Sequence, residues 1–216
     1  MLEELFRNNR TVGIVGNAGV GKSSLVLSEL IKIKSSINIP TYVLGVEPSL
    51  QPYLEKKGII ILKSKEDILD LKIRDSLIYI DEFSDLYDTK TASRELDKIK
   101  RFFNRIDHLN DFLVVSSAVD GFYNKFMEGL IQAFAVKSVD FQILVNGTIL
   151  KRKVMAIVEN TSDYRLDIPK NTFYVVTSDE LVKKMTFDYD RNLDSKKENV
   201  NPFLEKSENK NEKKVK

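Results

Sequence analysis

The stretch Gly16-Asn17-Ala18-Gly19-Val20-Gly21-Lys22-Ser23 narrows most sharply what this chain can become. Glycines at 16, 19 and 21 free the backbone for tight and left-handed conformations. Successive N–H groups can then face one concave surface and hold an anion. The stretch fits the pattern G-x-x-x-x-G-K-[ST], the P-loop. Its flanks agree. Thr11 to Val15 is a short run rich in β-branched residues, and after it Val26, Leu27, Leu30 and Ile31 recur at helical spacing. Strand, glycine turn and helix start together form the context that phosphate cradling requires. Gly16, Asn17, Ala18, Gly19, Val20, Gly21, Lys22, Ser23 and Ser24 are therefore the expected ATP-contacting residues. The helix N-terminus adds partial positive charge. Lys22 is expected on the β- and γ-phosphates and the Ser23 hydroxyl on Mg2+. A chance glycine-rich turn is the competing reading, and the matched flanks weigh against it.

A second motif lies downstream. Leu77-Ile-Tyr-Ile80 reads as a buried strand that ends in Asp81-Glu82, the Walker B form. Asp81 is expected to hold Mg2+ through water. A carboxylate directly after the metal aspartate can orient and deprotonate an attacking water, which makes Glu82 the candidate general base. The same residues argue against GTPases: Asp81 is followed by Glu-Phe-Ser rather than D-x-x-G, and Asn124-Lys125 by Phe-Met rather than x-D.

Between and beyond these motifs, strands alternate with helices. Thr41–Val46, Gly58–Leu62, Leu77–Ile80, Phe112–Val115 and Ile131–Val136 read as strands. Ser64 with Asp67 three residues on reads as a capped helix start. The stretch from Ser84 to His108 reads as a long helix with Leu96, Ile99, Phe102, Phe103 and Ile106 on one stripe, and 122–130 as a further helix. Alternation of this kind predicts a mostly parallel α/β sheet flanked by helices. After Ser138 the pattern changes. Residues 140–150 carry an Asn146-Gly147 hairpin signal, Val154–Val158 and Thr172–Val176 look like strands, and Ser178–Met185 like a capped helix. The expected division is one domain over 1–189, ending in C-terminal antiparallel strands, and a disordered charged tail over 190–216.

Composition sets outer limits. The chain has 216 residues and no cysteine, which excludes disulfides and thiolate zinc sites and suits a reducing, cytoplasmic setting. Met1-Leu-Glu-Glu-Leu-Phe-Arg lacks the layout of a signal peptide, and no apolar run approaches the ~20 residues that span a bilayer. Net charge is +2, and the tail holds 8 of the 34 basic and 6 of the 32 acidic residues, so the body is neutral. Any nucleic-acid contact must then come from a local patch. Lys151-Arg152-Lys153 is the candidate if it sits at a loop tip, and a solvated charge run is the competing reading.

The P-loop, the extra strands, Asp81-Glu82 and then an apolar strand ending in Ser116-Ser117 resemble the P-loop ATPases that insert a strand beside the P-loop strand and carry a catalytic glutamate. Among these, size and layout look like viral DNA-packaging ATPases, those of small tailed phages and relatives of FtsK and HerA. The resemblance covers residues 10–138. It implies a homo-oligomeric ring that moves double-stranded DNA, with a capsid or portal protein as partner and the host cytoplasm as its place. It also implies a γ-phosphate sensor at Ser116 or Ser117, with ordinary strand-end solvation the competing reading. An arginine acting in trans is implied too. Of Arg94, Arg101 and Arg105 on the helix after Asp81, Arg105 is expected first and Arg101 second, on the ground that Arg105 lies near the nucleotide edge; a solvated helix face paired with Glu95 and Asp97 competes. ATPases for plasmid transfer, virion export or replication, and a low-turnover assembly switch, are the alternatives.

Overall fold

The computed structural model describes residues 1–69, 74–83, 93–118, 130–137, 149–160, 169, 171–177, 181–188 and 190–193. In chain order these form α1 (Leu2–Phe6), β1 (Thr11–Gly16), α2 (Lys22–Ile37), β2 (Thr41–Leu44), α3 (Gln51–Lys56), β3 (Ile60–Ile61), α4 (Lys65–Leu69), β4 (Leu77–Ile80), α5 (Ser93–His108), β5 (Phe112–Ser117), β6 (Ala133–Lys137), α6 (Ile149–Asn160), β7 (Thr172–Val176) and β8 (Val182–Thr186). A single 3-10 turn, Arg191–Leu193, follows.

One sheet runs through the structure in the order β3-β2-β4-β5-β1-β6-β7-β8. β1 is paired in parallel with both β5 and β6, and β5 in parallel with β4. β7 and β8 are antiparallel additions beyond β6. The central strands are apolar at successive positions because helices cover both faces, which removes the one-face alternation of an exposed sheet. On one face Leu25, Leu27 and Leu30 of α2 pack with Val12, Ile14, Tyr79 and Val114, joined by Leu2 of α1 and Leu54 of α3. On the other, Ile99, Phe102, Phe103 and Ile106 of α5 share a cluster with Ile78, Ile80, Leu113 and Val115, and Val154 and Ile157 of α6 extend the same cluster at the β7 side with Tyr174 and Val176. Each such fully buried side chain stabilises the fold by about 1.5–3 kcal/mol. Among the described residues no helix is long and apolar enough to cross a membrane.

The strand–helix alternation and the α5 stripe are as the sequence predicts. So is the capping box: Asp67 Oδ2 accepts from the N–H groups of Lys63 and Ser64, and Asp67 N–H donates to Ser64 Oγ. Gly58–Leu62 yields only the two-residue edge strand Ile60–Ile61, with Ile60 exposed.

Three C-terminal expectations are overturned. Ile149, Leu150 and Val154–Val158 are helical, not strands, and Lys151-Arg152-Lys153 lies within that helix rather than at a loop tip. Val154 and Ile157 are buried while Met155 is exposed, the three-residue spacing of a helix face. β-Branched content is a context-dependent signal and misled here. Residues 151–153 are about 100° apart around a helix, so they do not form one row of charge. Val182–Met185 is strand, not helix: β8 closes the sheet on β7 with Met185 inward and Lys183 and Lys184 exposed along the edge. Lysines on such an edge discourage pairing with another chain. The expected hairpin turn, the helix over 122–129 and Ser178 lie outside the described residues.

The expected tail boundary at 190 falls inside a packed segment. Tyr53 Oη donates to Asp190 Oδ2 at 2.7 Å, Asp190 N–H donates to Ser28 Oγ at 3.2 Å, and Leu193 is buried. Ending the chain after Leu193 is expected to leave the melting temperature nearly unchanged. Ending it after residue 189 exposes the Leu193 site at a cost of about 1.5–3 kcal/mol, a drop of several degrees for a chain this long. Calorimetric melting of the two truncations checks this, and equal melting points contradict it.

Candidate nucleotide site

The site grows from the carboxyl ends of β1, β4 and β5. β1 delivers Gly16, and α2 begins at Lys22. Gly16 passes so close to β6 that a Cβ there would lie 2.3 Å from the Lys137 carbonyl oxygen. Gly21 precedes the helix with φ 94°, a left-handed conformation that glycine takes without strain. The loop therefore folds back tightly and points the first turn of α2 into the groove above the sheet. The amides of that first turn lack intrahelical partners, which makes them donors for an anion.

Lys22 is buried, and its Nζ donates to the Gly16 and Asn17 carbonyls at 3.0 and 3.2 Å. The ammonium thus lies across the mouth of the loop. From there it reaches Glu82 Oε1 at 3.6 Å. Glu82 is 41% exposed, so this ion pair is in contact with solvent and contributes little to stability. What it fixes is place: the P-loop lysine and the carboxylate after Asp81 face each other across one groove.

Around Asp81 the contacts are denser. Tyr79 Oη donates to Asp81 Oδ1 at 2.7 Å and lies 3.0 Å from Ser116 Oγ. Ser116 Oγ and the Glu82 N–H also donate to Asp81 Oδ1. Asp81 N–H donates to the Leu44 carbonyl at 2.9 Å, which holds the end of β4 beside β2. The Tyr79 phenol is fully buried. Burial, and then the Asp81 charge, push that phenol well above its ordinary value, so it stays protonated. The donor set, the Ser23 hydroxyl and the Asp81 carboxylate, is made of the hard oxygens that Mg2+ prefers. Ser23 and Asp81 fit the ion.

Glu82 itself has φ 44°, left-handed for a residue that carries a Cβ. Such a conformation costs on the order of 1–2 kcal/mol and persists where the surroundings enforce it. Here the enforcement is visible: Glu82 N–H is held at Asp81, and Glu82 Oε2 accepts from the Ala118 N–H at 3.2 Å. The side chain is thereby turned toward the P-loop.

The two serines separate. Ser116 belongs to the Asp81 network. Ser117 alternates to the opposite face of β5, is fully buried, and its Oγ has no hydrogen-bond partner among the described residues. Arg105 does not lie at the nucleotide edge. α5 runs against the strands, so its last turns lie at the strand starts and not at the nucleotide edge. There Leu109 N–H bonds the Arg105 carbonyl, Asp111 N–H bonds the Ile106 carbonyl, and the Arg105 charge acts on Asp111 at the entry to β5. Arg101, one turn earlier, is exposed. The ground for choosing Arg105 or Arg101 is therefore removed.

Tyr79 is the site residue that sequence reasoning passed over. The signal was present: a phenol inside an otherwise aliphatic buried strand needs a hydrogen-bond partner. Two residues before Asp81, it shares the aspartate's face.

Neither a protein-family model nor a curated protein matches the sequence. Solved structures do match. The genome-packaging NTPase B204 of Sulfolobus turreted icosahedral virus 2, in complex with sulfate, aligns with TM-score 0.62 at 12% identity over 84% of this chain and 98% of that one. B204 of Sulfolobus turreted icosahedral virus, described as a DNA-packaging ATPase, aligns with TM-score 0.61 at 12% identity over 83% and 98%. The fold is that of a P-loop NTPase. The cytoplasmic domain of the type VII secretion ATPase EccC from Thermomonospora curvata shares it, with TM-score 0.52 at 14% identity over 83% of this chain and 25% of that one. In this P-loop NTPase fold the added strand is β5, which stands between the P-loop strand β1 and the Asp81 strand β4.

Lys22→Ala is expected to weaken ATP binding by roughly 10- to 100-fold, the loss of a charge-assisted hydrogen bond, with the circular dichroism of the fold retained. Titration calorimetry checks it, and unchanged affinity would remove the P-loop from the nucleotide site.

Proposed function

We propose that this chain is an ATP hydrolase that works as a homo-oligomeric ring motor on double-stranded DNA, with viral genome packaging as its role. The observation that carries the hydrolase reading is the meeting of Lys22 and Glu82 at 3.6 Å across the groove between the P-loop and β4. The P-loop amides and Lys22 bind the β- and γ-phosphates. Bound Mg2+ supplies charge neutralisation at those phosphates. Ser23 and Asp81 hold the ion, Ser116 steadies Asp81, and Glu82 takes the proton of the attacking water. Through its bond to Asp81, Ser116 is the candidate for sensing the γ-phosphate.

The motor reading rests on likeness of form. The genome-packaging NTPases align over nearly the whole of their own length and over more than four fifths of this chain. A capsid or portal protein is the natural partner for such a motor, and the host cytoplasm its place. A specific observation favours a second reading, an ATPase for export or transfer: secretion ATPases share the fold too. The neutral net charge of the body does not by itself favour DNA and leaves that reading open.

The test is the ATP hydrolysis rate as a function of protein concentration, with and without double-stranded DNA. A motor is expected to gain specific activity as subunits associate and again when DNA organises the ring. Concentration-dependent hydrolysis that DNA does not change supports the export or transfer reading. Binding without turnover under every condition contradicts the hydrolase and leaves a switch.

A further inference from the structure

With the body of the chain neutral, a DNA contact has to come from charge gathered in one place. Residues 151–153 do not gather it, since neighbours in a helix lie about 100° apart around its axis. α5 does. Its apolar stripe, Ile99, Phe102, Phe103 and Ile106, is buried on the sheet. Beside that stripe run Lys98, Arg101, Arg105 and His108, each three or four residues after the last. At about 100° per residue the four fall within roughly 80° of the helix surface, in a row about 15 Å long. Lys98, Arg101 and His108 are exposed, and Arg105 is half-buried. The Arg105 charge also acts on Asp111 at the entry to β5. Two acids on the helix are exposed as well. Asp107 lies about 100° outside the row, and Asp97 sits at its margin, one turn before Arg101.

We propose that this row on α5 is the surface that meets double-stranded DNA, with Lys98 and Arg101 on backbone phosphates and His108 as a further donor at the far end. The assignment rests on the reading of the chain as a DNA motor, and goes beyond it by naming the surface that carries the DNA. Duplex DNA presents a phosphate about every 1.7 Å along its axis, so a straight row of cations meets acceptors in any register. Contacts of this kind position the duplex and read no sequence, which suits a protein that moves along it. Arg101, for which the nucleotide edge gives no ground, finds its role in this row. The buried side of α5 shares a cluster with Ile80 of β4 and Val115 of β5, the strands that carry the Asp81 and Ser116 ends. One helix therefore stands between the DNA surface and the strands of the nucleotide groove. A merely solvated helix face has the same spacing and makes no difference to DNA.

The experiment uses the full chain with AMPPNP and Mg2+, and two fluorescent duplexes of unrelated sequence, titrated over a series of salt concentrations. Lys98→Ala and Arg101→Ala are each expected to weaken binding about fivefold near physiological salt and to flatten the slope of log affinity against log salt by about one. The double variant is expected to lose about 25-fold and about two in slope, equally on both duplexes. Asp97→Asn is expected to strengthen binding by up to about fivefold, a gain that no folding defect produces. Lys32→Ala removes one exposed charge from α2, which covers the opposite face of the sheet, and is expected to leave the slope unchanged. A double variant with the wild-type slope overturns the proposal, as does an equal fall in Lys32→Ala. Wild-type DNA affinity in the double variant together with lost binding to polyglutamate assigns the row to an acidic protein partner and overturns it too. A wild-type chain that binds neither duplex overturns the DNA reading itself, and that control tells the two failures apart.

Discussion

Everything at this site depends on the insertion of β5 between the strand that carries the P-loop and the strand that carries Asp81. Adjacent parallel strands lie about 4.8 Å apart, so one inserted strand opens a gap of roughly 10 Å between β1 and β4. That gap is too wide for direct contact between strand ends and wide enough for a phosphate, an ion and a water. The long Lys22 side chain crosses it from one side, and Glu82 reaches in from the other to 3.6 Å. Ser116, near the carboxyl end of the inserted strand, bonds Asp81 and Tyr79 at the end of the neighbouring strand.

The groove also shows where the structure holds strain and where it places buried polarity. Glu82 takes a left-handed backbone that its side chain disfavours, and the bonds to Asp81 and Ala118 hold it there. A phenol, a hydroxyl and a carboxylate share one small volume under α2, each satisfied by the others. Buried polar networks of this kind stabilise little and orient much, because any one member left unpaired costs its full desolvation. Buried polar groups away from the groove, such as Glu29 with the N-terminal amine and Asp111 with Ser76, tie chain segments together instead.

The P-loop and the Walker B strand were legible because their signals are local. Three glycines, a lysine and a serine in eight residues carry the turn, and four apolar residues before Asp81 carry the strand. The α5 stripe was legible for the same reason, since helical periodicity is written within the segment. What failed was nonlocal. Residues 154–158 are β-branched enough to read as a strand, yet they are helical, with Val154 and Ile157 buried on one side and Met155 exposed on the other. The cap-like Ser178 stretch misled about Val182–Met185, which pairs with a strand already in place. Arg105 was misplaced because a position near the end of a helix says nothing about which edge of the sheet that end meets. Tyr79 is bonded both to its near neighbour Asp81 and to Ser116, which lies far from it along the chain, and only the second contact was beyond the reach of local reading.

The central claim is that Asp81 and Glu82, neighbours in sequence, divide the work between holding the ion and activating water. Glu82→Gln keeps the size and the hydrogen-bonding shape and removes only the base. Mg2+–ATP affinity and single-turnover hydrolysis measured on the same sample of this variant test the claim most directly. Affinity close to wild type with hydrolysis lowered on the order of a hundredfold or more is the result the account predicts. Hydrolysis near the wild-type rate would contradict it.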